Sequence, residues 1–190
     1  MLENRRHFTM LHRVIHWGIA LTMLFILLTI LLRMGWMEKH TVADIITSSP
    51  QMAQYNISEA DAVKAAKAIR GNMFQWHLYA GYLMGVLLLA RLAYTTSQGI
   101  FYKGPFSAEA DLREKFQAWV YIAFYTGVAL SVMTGLYMKF GPDNALGDIA
   151  KDVHVLALWY LIPFLILHMG GLILGENGKE KGIASKMIGG

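Results

Sequence analysis

Four apolar runs, each about as long as a bilayer is thick, constrain this chain more than any other feature. A membrane-crossing helix needs roughly 20 mostly apolar residues. The runs Val14 to Leu32, Trp76 to Tyr94, Gln117 to Met138 and Val153 to Gly175 meet that requirement. Lipid offers backbone N–H and C=O groups no outside partner, so an all-α chain is expected, a four-helix bundle integral to the membrane. The first run is too long for a signal-peptide core, and no small-residue cleavage site follows it, so it is expected to stay as a span. The composition agrees: 55% of residues are hydrophobic and only 16% charged, against about 45–50% apolar in soluble domains. The reading is one membrane domain over residues 1–190, with spans near 14–32, 76–94, 117–138 and 153–175.

An outer loop, residues 33–75, separates the first two spans and is long for a connection. Within it "SEADAVKAAKAI", starting at Ser58, reads as a short helix. Ser58 is its cap, Asp61 stands at the capping-box distance, and alanines fill its middle. That helix is expected to lie as a lid on the membrane surface.

Of the 17 Lys and Arg, nine fall on the side of the termini and seven on the other, with Arg91 inside a span. Arg5, Arg6 and Arg13 before the first span and Lys179 and Lys181 after the last weigh the same way. Both termini are therefore expected in the cytoplasm. The basic residues form no stripe interleaved with exposed aromatics, so no nucleic-acid partner is expected. There is no cysteine. That excludes disulfides, thiolate metal sites, iron–sulfur clusters and covalent CxxCH haem attachment.

Histidines carry the functional signal. With the termini inside, His16 and His168 fall near the inner ends of the first and fourth spans. His77 and His154 fall near the outer ends of the second and fourth. Within the fourth span, fourteen residues separate His154 from His168. At about 1.5 Å and 100° per residue they stand ~21 Å apart and within ~40° of one helix face. Intramembrane polar groups are expensive and mark function. Two imidazoles from different helices at each of two depths suit the axial positions of haem iron. A single such histidine is more often a helix–helix contact; the pairing by depth is what favours haem. Gly81, one turn after His77, and Gly18, Gly85, Gly127 and Gly135 offer room for a flat macrocycle, although membrane helices also use glycine to pack closely.

Other polar residues are secondary. His12 lies one turn before His16 on the same face and is an alternative ligand, but it sits beside Arg13 at the headgroup boundary. It reads as an interfacial residue near a propionate or a quinone. His7 and His40 read as solvated. Arg91 either snorkels to the interface or pairs with a propionate of the inner haem, with Arg13 as a second candidate for that role. Pro163 is expected to kink the fourth span between its histidines.

"RVIHW", opening the first span, resembles the start of bacterial cytochrome b561 and of the b-type cytochrome subunit of Ni,Fe-hydrogenases. "WHLYAGYLMGVLLLARL" resembles the second ligand helix of that superfamily, and "VHVLALWYLIPFLILH" its last. The tail "GENGKEKGIASKMIGG" is similar to the cytoplasmic end of hydrogenase-type and related reductase-type subunits. The resemblance covers all four spans. It implies two non-covalent, bis-histidine haem b groups, one on His16 and His168, the other on His77 and His154. It further implies electron transfer between a redox partner protein on the periplasmic side and the quinone pool of the bacterial inner membrane. The long outer loop departs from the compact quinol cytochromes, some of which oxidise superoxide. Such a stand-alone quinol-linked cytochrome is the alternative. A histidine-based transporter or proton relay is a third reading, but it expects acidic partners inside the spans, and those runs contain no Asp or Glu.

Overall fold

A computed structural model of the chain describes residues 8–98, 104–178 and 181–189. Arg5, Arg6, His7, Lys103 and Lys179 lie outside the described residues. The architecture is all-helical, with no strand among the described residues. In order come α1 (Met10–Met34), α2 (Lys39–Ser48), α3 (Pro50–Ala53), α4 (Glu59–Gln98), α5 (Leu112–Phe140), α6 (Ala145–Val155), α7 (Ala157–Glu176) and α8 (Ile183–Ile188). Four helical segments are long and apolar enough to cross a membrane: Met10–Met34, Glu59–Gln98, Leu112–Phe140 and Ala145–Glu176. They coincide with the four apolar runs.

The chain divides into two compact units, Gly18–Met84 and the combination of Met1–Trp17 with Gly85–Gly190. In the first, α1 turns its oily residues outward. Leu21, Leu24, Leu28 and Leu31 are exposed, while Thr22 and Thr29 are buried. Lipid is as apolar as leucine, so leucine gains little from burial there, whereas a hydroxyl gains a partner. The loop after α1 holds α2, which is capped by Glu38: its carboxylate accepts from the N–H groups of His40 (2.7 Å) and Thr41 (3.1 Å). The His40 side chain is exposed, as expected.

The helix expected from Ser58 exists, but it is not separate. It is the opening of α4, a single helix of 40 residues. Ser58 Oγ accepts from the Asp61 N–H at 3.2 Å and donates to the Asp61 carboxylate at 2.8 Å. Lys64 adds an ion pair to Asp61 at 3.0 Å. Gly71 lies inside the helix, and a glycine costs a helix interior only about 1 kcal/mol. At ~1.5 Å per residue α4 is ~60 Å long, about twice the hydrocarbon thickness of ~30 Å. Its polar first half therefore extends beyond the membrane, so the surface lid is replaced by a continuation of the span.

In the other unit, α5 starts with a complete capping box between Asp111 and Glu114. Its packing rests on a stripe of small residues at intervals of four: Gly127, Ser131 and Gly135. A Cβ on Gly127 would meet the Tyr160 ring at 2.9 Å, and one on Gly135 would meet His154 Cε1 at 3.1 Å. Between them Ser131 Oγ hydrogen-bonds the Tyr160 hydroxyl at 3.0 Å. These two glycines thus admit Tyr160 and His154 to the α5 surface. Gly85 does the same for Val132, 3.2 Å from where its Cβ would stand.

The fourth apolar segment is interrupted. It breaks at Leu156, which ends α6 and precedes α7. The Leu156 N–H bonds the Val153 carbonyl, and the Trp159 N–H bonds the Leu156 carbonyl, three residues back in each case. Pro163 lies inside α7, one turn beyond Trp159. A proline acts on the carbonyl four residues before it, so the interruption begins upstream of its reach. His154 and His168 consequently sit on α6 and α7, on either side of the break.

Gly127→Ala is expected to destabilise the protein by about 1–3 kcal/mol, because the Tyr160 ring must move from its seat. Gly71→Ala, where a Cβ meets nothing within 4 Å, is expected to be neutral or to stabilise by up to about 1 kcal/mol. Thermal unfolding of the two variants in detergent compares them directly.

Candidate haem-binding histidines

His16 and His168 face each other. Their ring centres are 6.1 Å apart, with the planes at 41°. Each belongs to the unit made of Met1–Trp17 and Gly85–Gly190, although 152 positions separate them in the chain (168 − 16). His16 is flanked by the edge of Trp17 at 5.7 Å. His168 stacks on Phe164 at 5.4 Å, and Phe164 stacks on Phe124 at 3.8 Å. That aromatic column steadies the His168 ring. Phe124 and Phe164 went unnoticed in the sequence because aromatic residues are common throughout the spans.

The spacing can be tested against a ligand. An imidazole nitrogen lies about 1 Å from its ring centre, and a first-row metal ion binds imidazole nitrogen at about 2 Å. Two imidazoles on opposite sides of one metal therefore have centres about 6 Å apart, the separation seen here. A bare metal ion such as zinc requires three or four protein ligands. Among the described residues, no group of three or more His, Asp or Glu side chains is placed to hold one. Two histidines suit a metal that brings its own equatorial nitrogens, as haem iron does.

Around this pair lies a polar network. Arg91 is held by specific partners: Nε donates to the Tyr125 hydroxyl at 3.2 Å, and Nη1 donates to His12 Nε2 at 3.1 Å. A guanidinium cannot accept, so His12 Nε2 is the acceptor nitrogen. This contact uses the ring edge with which His12 would bind a metal through Nε2. The His12 ring also packs edge-on against Tyr94 at 5.6 Å, and the Tyr94 hydroxyl bonds Thr9 Oγ1 at 2.7 Å. Arg13 Nη1 donates to the Ile188 carbonyl at 3.2 Å, and Trp17 Nε1 to the Met187 carbonyl at 3.0 Å. The end of α8 is thereby tied to α1 beside His16. Glu176 secures the start of α8 by accepting from the N–H groups of Gly182 and Ala184 at 2.8 and 3.2 Å. Gly182 there has φ +80°, which glycine adopts without strain. Arg13 Nε is buried and has no hydrogen-bond partner among the described residues. A buried guanidinium N–H without an acceptor is costly and is suited to a carboxylate.

The other two histidines lie in different units and are each fixed by their own surroundings. His77 is buried. Its Nδ1 is 2.9 Å from Thr29 Oγ1, and its ring stacks on Phe74 at 4.6 Å, 8° from parallel. Arg33 lies over the far ring of that stack, 4.7 Å from the Phe74 centre. A Cβ at Gly81, one turn on, would meet nothing within 4 Å, so this face of α4 is open beside His77. His154 is half-buried. Its Nδ1 is 3.0 Å from the Ser131 carbonyl and 3.1 Å from Thr134 Oγ1. Thr29, Ser131 and Thr134 escaped sequence analysis. The available signal was a hydroxyl inside an apolar run, which is weak because such residues often bond only their own helix.

The arrangement defines a class: a membrane-spanning helical protein with paired histidines suited to a planar metal cofactor. The chain belongs to the prokaryotic cytochrome b561 family, whose profile matches residues 7–190. Membership makes it a bacterial membrane b-type cytochrome of electron transfer, with b-type haem bound by histidines. No curated protein and no solved structure matches the chain.

Arg91→Leu is expected to leave His12 Nε2 and the Tyr125 hydroxyl without their donor and to destabilise by about 1–3 kcal/mol. Arg91→Lys should recover only part of this, because one ammonium does not reproduce the two diverging N–H donors. Thermal unfolding of both variants provides the comparison.

Proposed function

We propose that this cytochrome holds two non-covalent haem b groups and carries electrons between a redox partner on the periplasmic side of the bacterial inner membrane and the quinone pool. Both termini are cytoplasmic in this reading. His16 and His168 would hold the cytoplasmic-side haem. His77 and His154 would hold the periplasmic-side haem, a pairing that rests on their depth in the sequence and on the family resemblance. The observation that carries the reading is the 6.1 Å separation of the His16 and His168 rings, the distance two axial ligands require.

Bound haem supplies a one-electron couple between ferric and ferrous iron. The chain's own residues orient the ligands, exclude water and balance charge. The Phe124–Phe164 column holds His168 and keeps its surroundings dry. Arg13, whose buried Nε has no partner among the described residues, would neutralise a propionate. Arg91 is a weaker candidate for that role, since two of its nitrogens already serve Tyr125 and His12. The open face at Gly81 accommodates the macrocycle held by His77. Quinone exchanges protons as well as electrons, and His12, Arg13 and Arg91 supply polar groups for a quinone head near His16.

Purified protein from a haem-sufficient host should contain two haem b per chain by pyridine haemochrome. Replacing His16 or His168 by Ala should remove one haem, and replacing His77 or His154 should remove the other. One haem or none in the unaltered protein would overturn the proposal. Quinone reduction coupled to superoxide oxidation in the isolated chain, without a partner protein, would favour the stand-alone alternative.

A further inference from the structure

A hydrogen-bond device of one kind recurs, independently, at two of the four histidines. In the Gly18–Met84 unit, Thr29 Oγ1 lies 2.6 Å from the Ile26 carbonyl of its own helix and 2.9 Å from His77 Nδ1. A hydroxyl has one proton. The carbonyl can only accept, so that proton belongs to Ile26. Thr29 Oγ1 must then accept from His77, and the His77 proton is on Nδ1. In the other unit, Thr134 Oγ1 lies 2.7 Å from the Leu130 carbonyl and 3.1 Å from His154 Nδ1. The same count applies. The Ser131 carbonyl, 3.0 Å from the same nitrogen, enforces it, because a carbonyl can receive only from an N–H. Both imidazoles are thus held as the tautomer whose lone pair is on Nε2.

We propose that Thr29 and Thr134 are positioning residues that fix the tautomer of His77 and His154 and raise the donor strength of their Nε2, lowering the reduction potential of the haem these histidines hold. The proposal rests on the reading of His77 and His154 as axial ligands. A metal-binding imidazole needs its other nitrogen occupied by an acceptor, which sets ring orientation and basicity. Acceptors at Nδ1 push electron density toward Nε2, and a more basic ligand favours ferric over ferrous iron. The device is built from residues that suit lipid. A threonine whose proton returns to the carbonyl three or four residues back presents only lone pairs to the neighbouring helix, so it acts as a neutral acceptor where a carboxylate would be costly.

The test is potentiometric titration of the purified holoprotein carrying Thr29→Val or Thr29→Ser, with Thr134→Val beside them. Valine keeps the shape and removes the acceptor; serine restores it. For Thr29→Val, one haem is expected to move to higher potential, by about tenfold in its ferric-to-ferrous ratio at a fixed poise, or about 59 mV for one electron. The other haem should stay in place. Thr29→Ser should return the midpoint to that of the unaltered protein, and Thr134→Val should shift the same haem in the same direction. If Thr29→Val loses that haem altogether, recovery of both haem and midpoint in Thr29→Ser supports the hydroxyl's role, and failure to recover overturns it. An unmoved midpoint in Thr29→Val overturns the proposal while His77→Ala still removes one haem. If His77→Ala retains both haems, the ligand reading itself falls.

Discussion

A polar group that enters the hydrocarbon of a membrane must bring its partner with it, and this protein is arranged around that requirement. Water cannot complete an unfinished hydrogen bond there, so a polar side chain within a span is costly unless it is paired inside the protein or meets a bound group. The leucines of α1 face outward because they lose nothing by doing so. Thr22 and Thr29 are buried because they have more to lose. Arg91 lies in an apolar helix because Tyr125 and His12 meet it. Among the described residues Arg13 Nε is buried without a hydrogen-bond partner, and it lies on the helix that carries His16.

Close approach between helices makes this pairing possible. Hydrogen bonds from side chain to neighbouring backbone require helices nearer than leucine-sized residues allow. The Gly127, Ser131 and Gly135 stripe provides that proximity on α5. It seats the Tyr160 ring at one step and His154 at another, close enough for His154 Nδ1 to reach the backbone carbonyl of Ser131. In the sequence alone, the glycines offer room for a flat cofactor. At Gly127 and Gly135 the space is taken by side chains of the protein, whereas at Gly81 it is open. One residue type thus answers two different needs, and only its neighbours distinguish them.

Much was legible in the chain itself. The four spans were readable because about 20 apolar residues have few stable fates besides a membrane helix. The four histidines stood out because imidazole is expensive in such a run. The cap at Ser58 was visible from the Ser58 and Asp61 spacing. The continuity of α4 was not, because a polar helix leading directly into an apolar one shows in sequence only as a change of composition. Nor was the break at Leu156, where the backbone shifts to three-residue hydrogen bonds upstream of the proline that drew attention. The hydroxyl acceptors were hidden for a related reason: Thr29 and Thr134 look like any helix threonine until the facing histidine is known.

By itself the sequence determined the class of structure and the number of costly side chains it must accommodate, since hydropathy acts locally and hydrocarbon penalises each polar group wherever the helices pack. It also carried the family's motifs. Tertiary structure alone decided that His16 and His168, 152 positions apart (168 − 16), approach to 6.1 Å. It decided as well that Arg91 answers His12 and Tyr125, and that Thr29 and Thr134 stand within hydrogen-bond reach of histidine Nδ1 atoms. Those facts depend on which helix faces meet and on the direction of each hydrogen bond. Both are set by the packing of small residues against large ones across the chain, a property that no local pattern encodes.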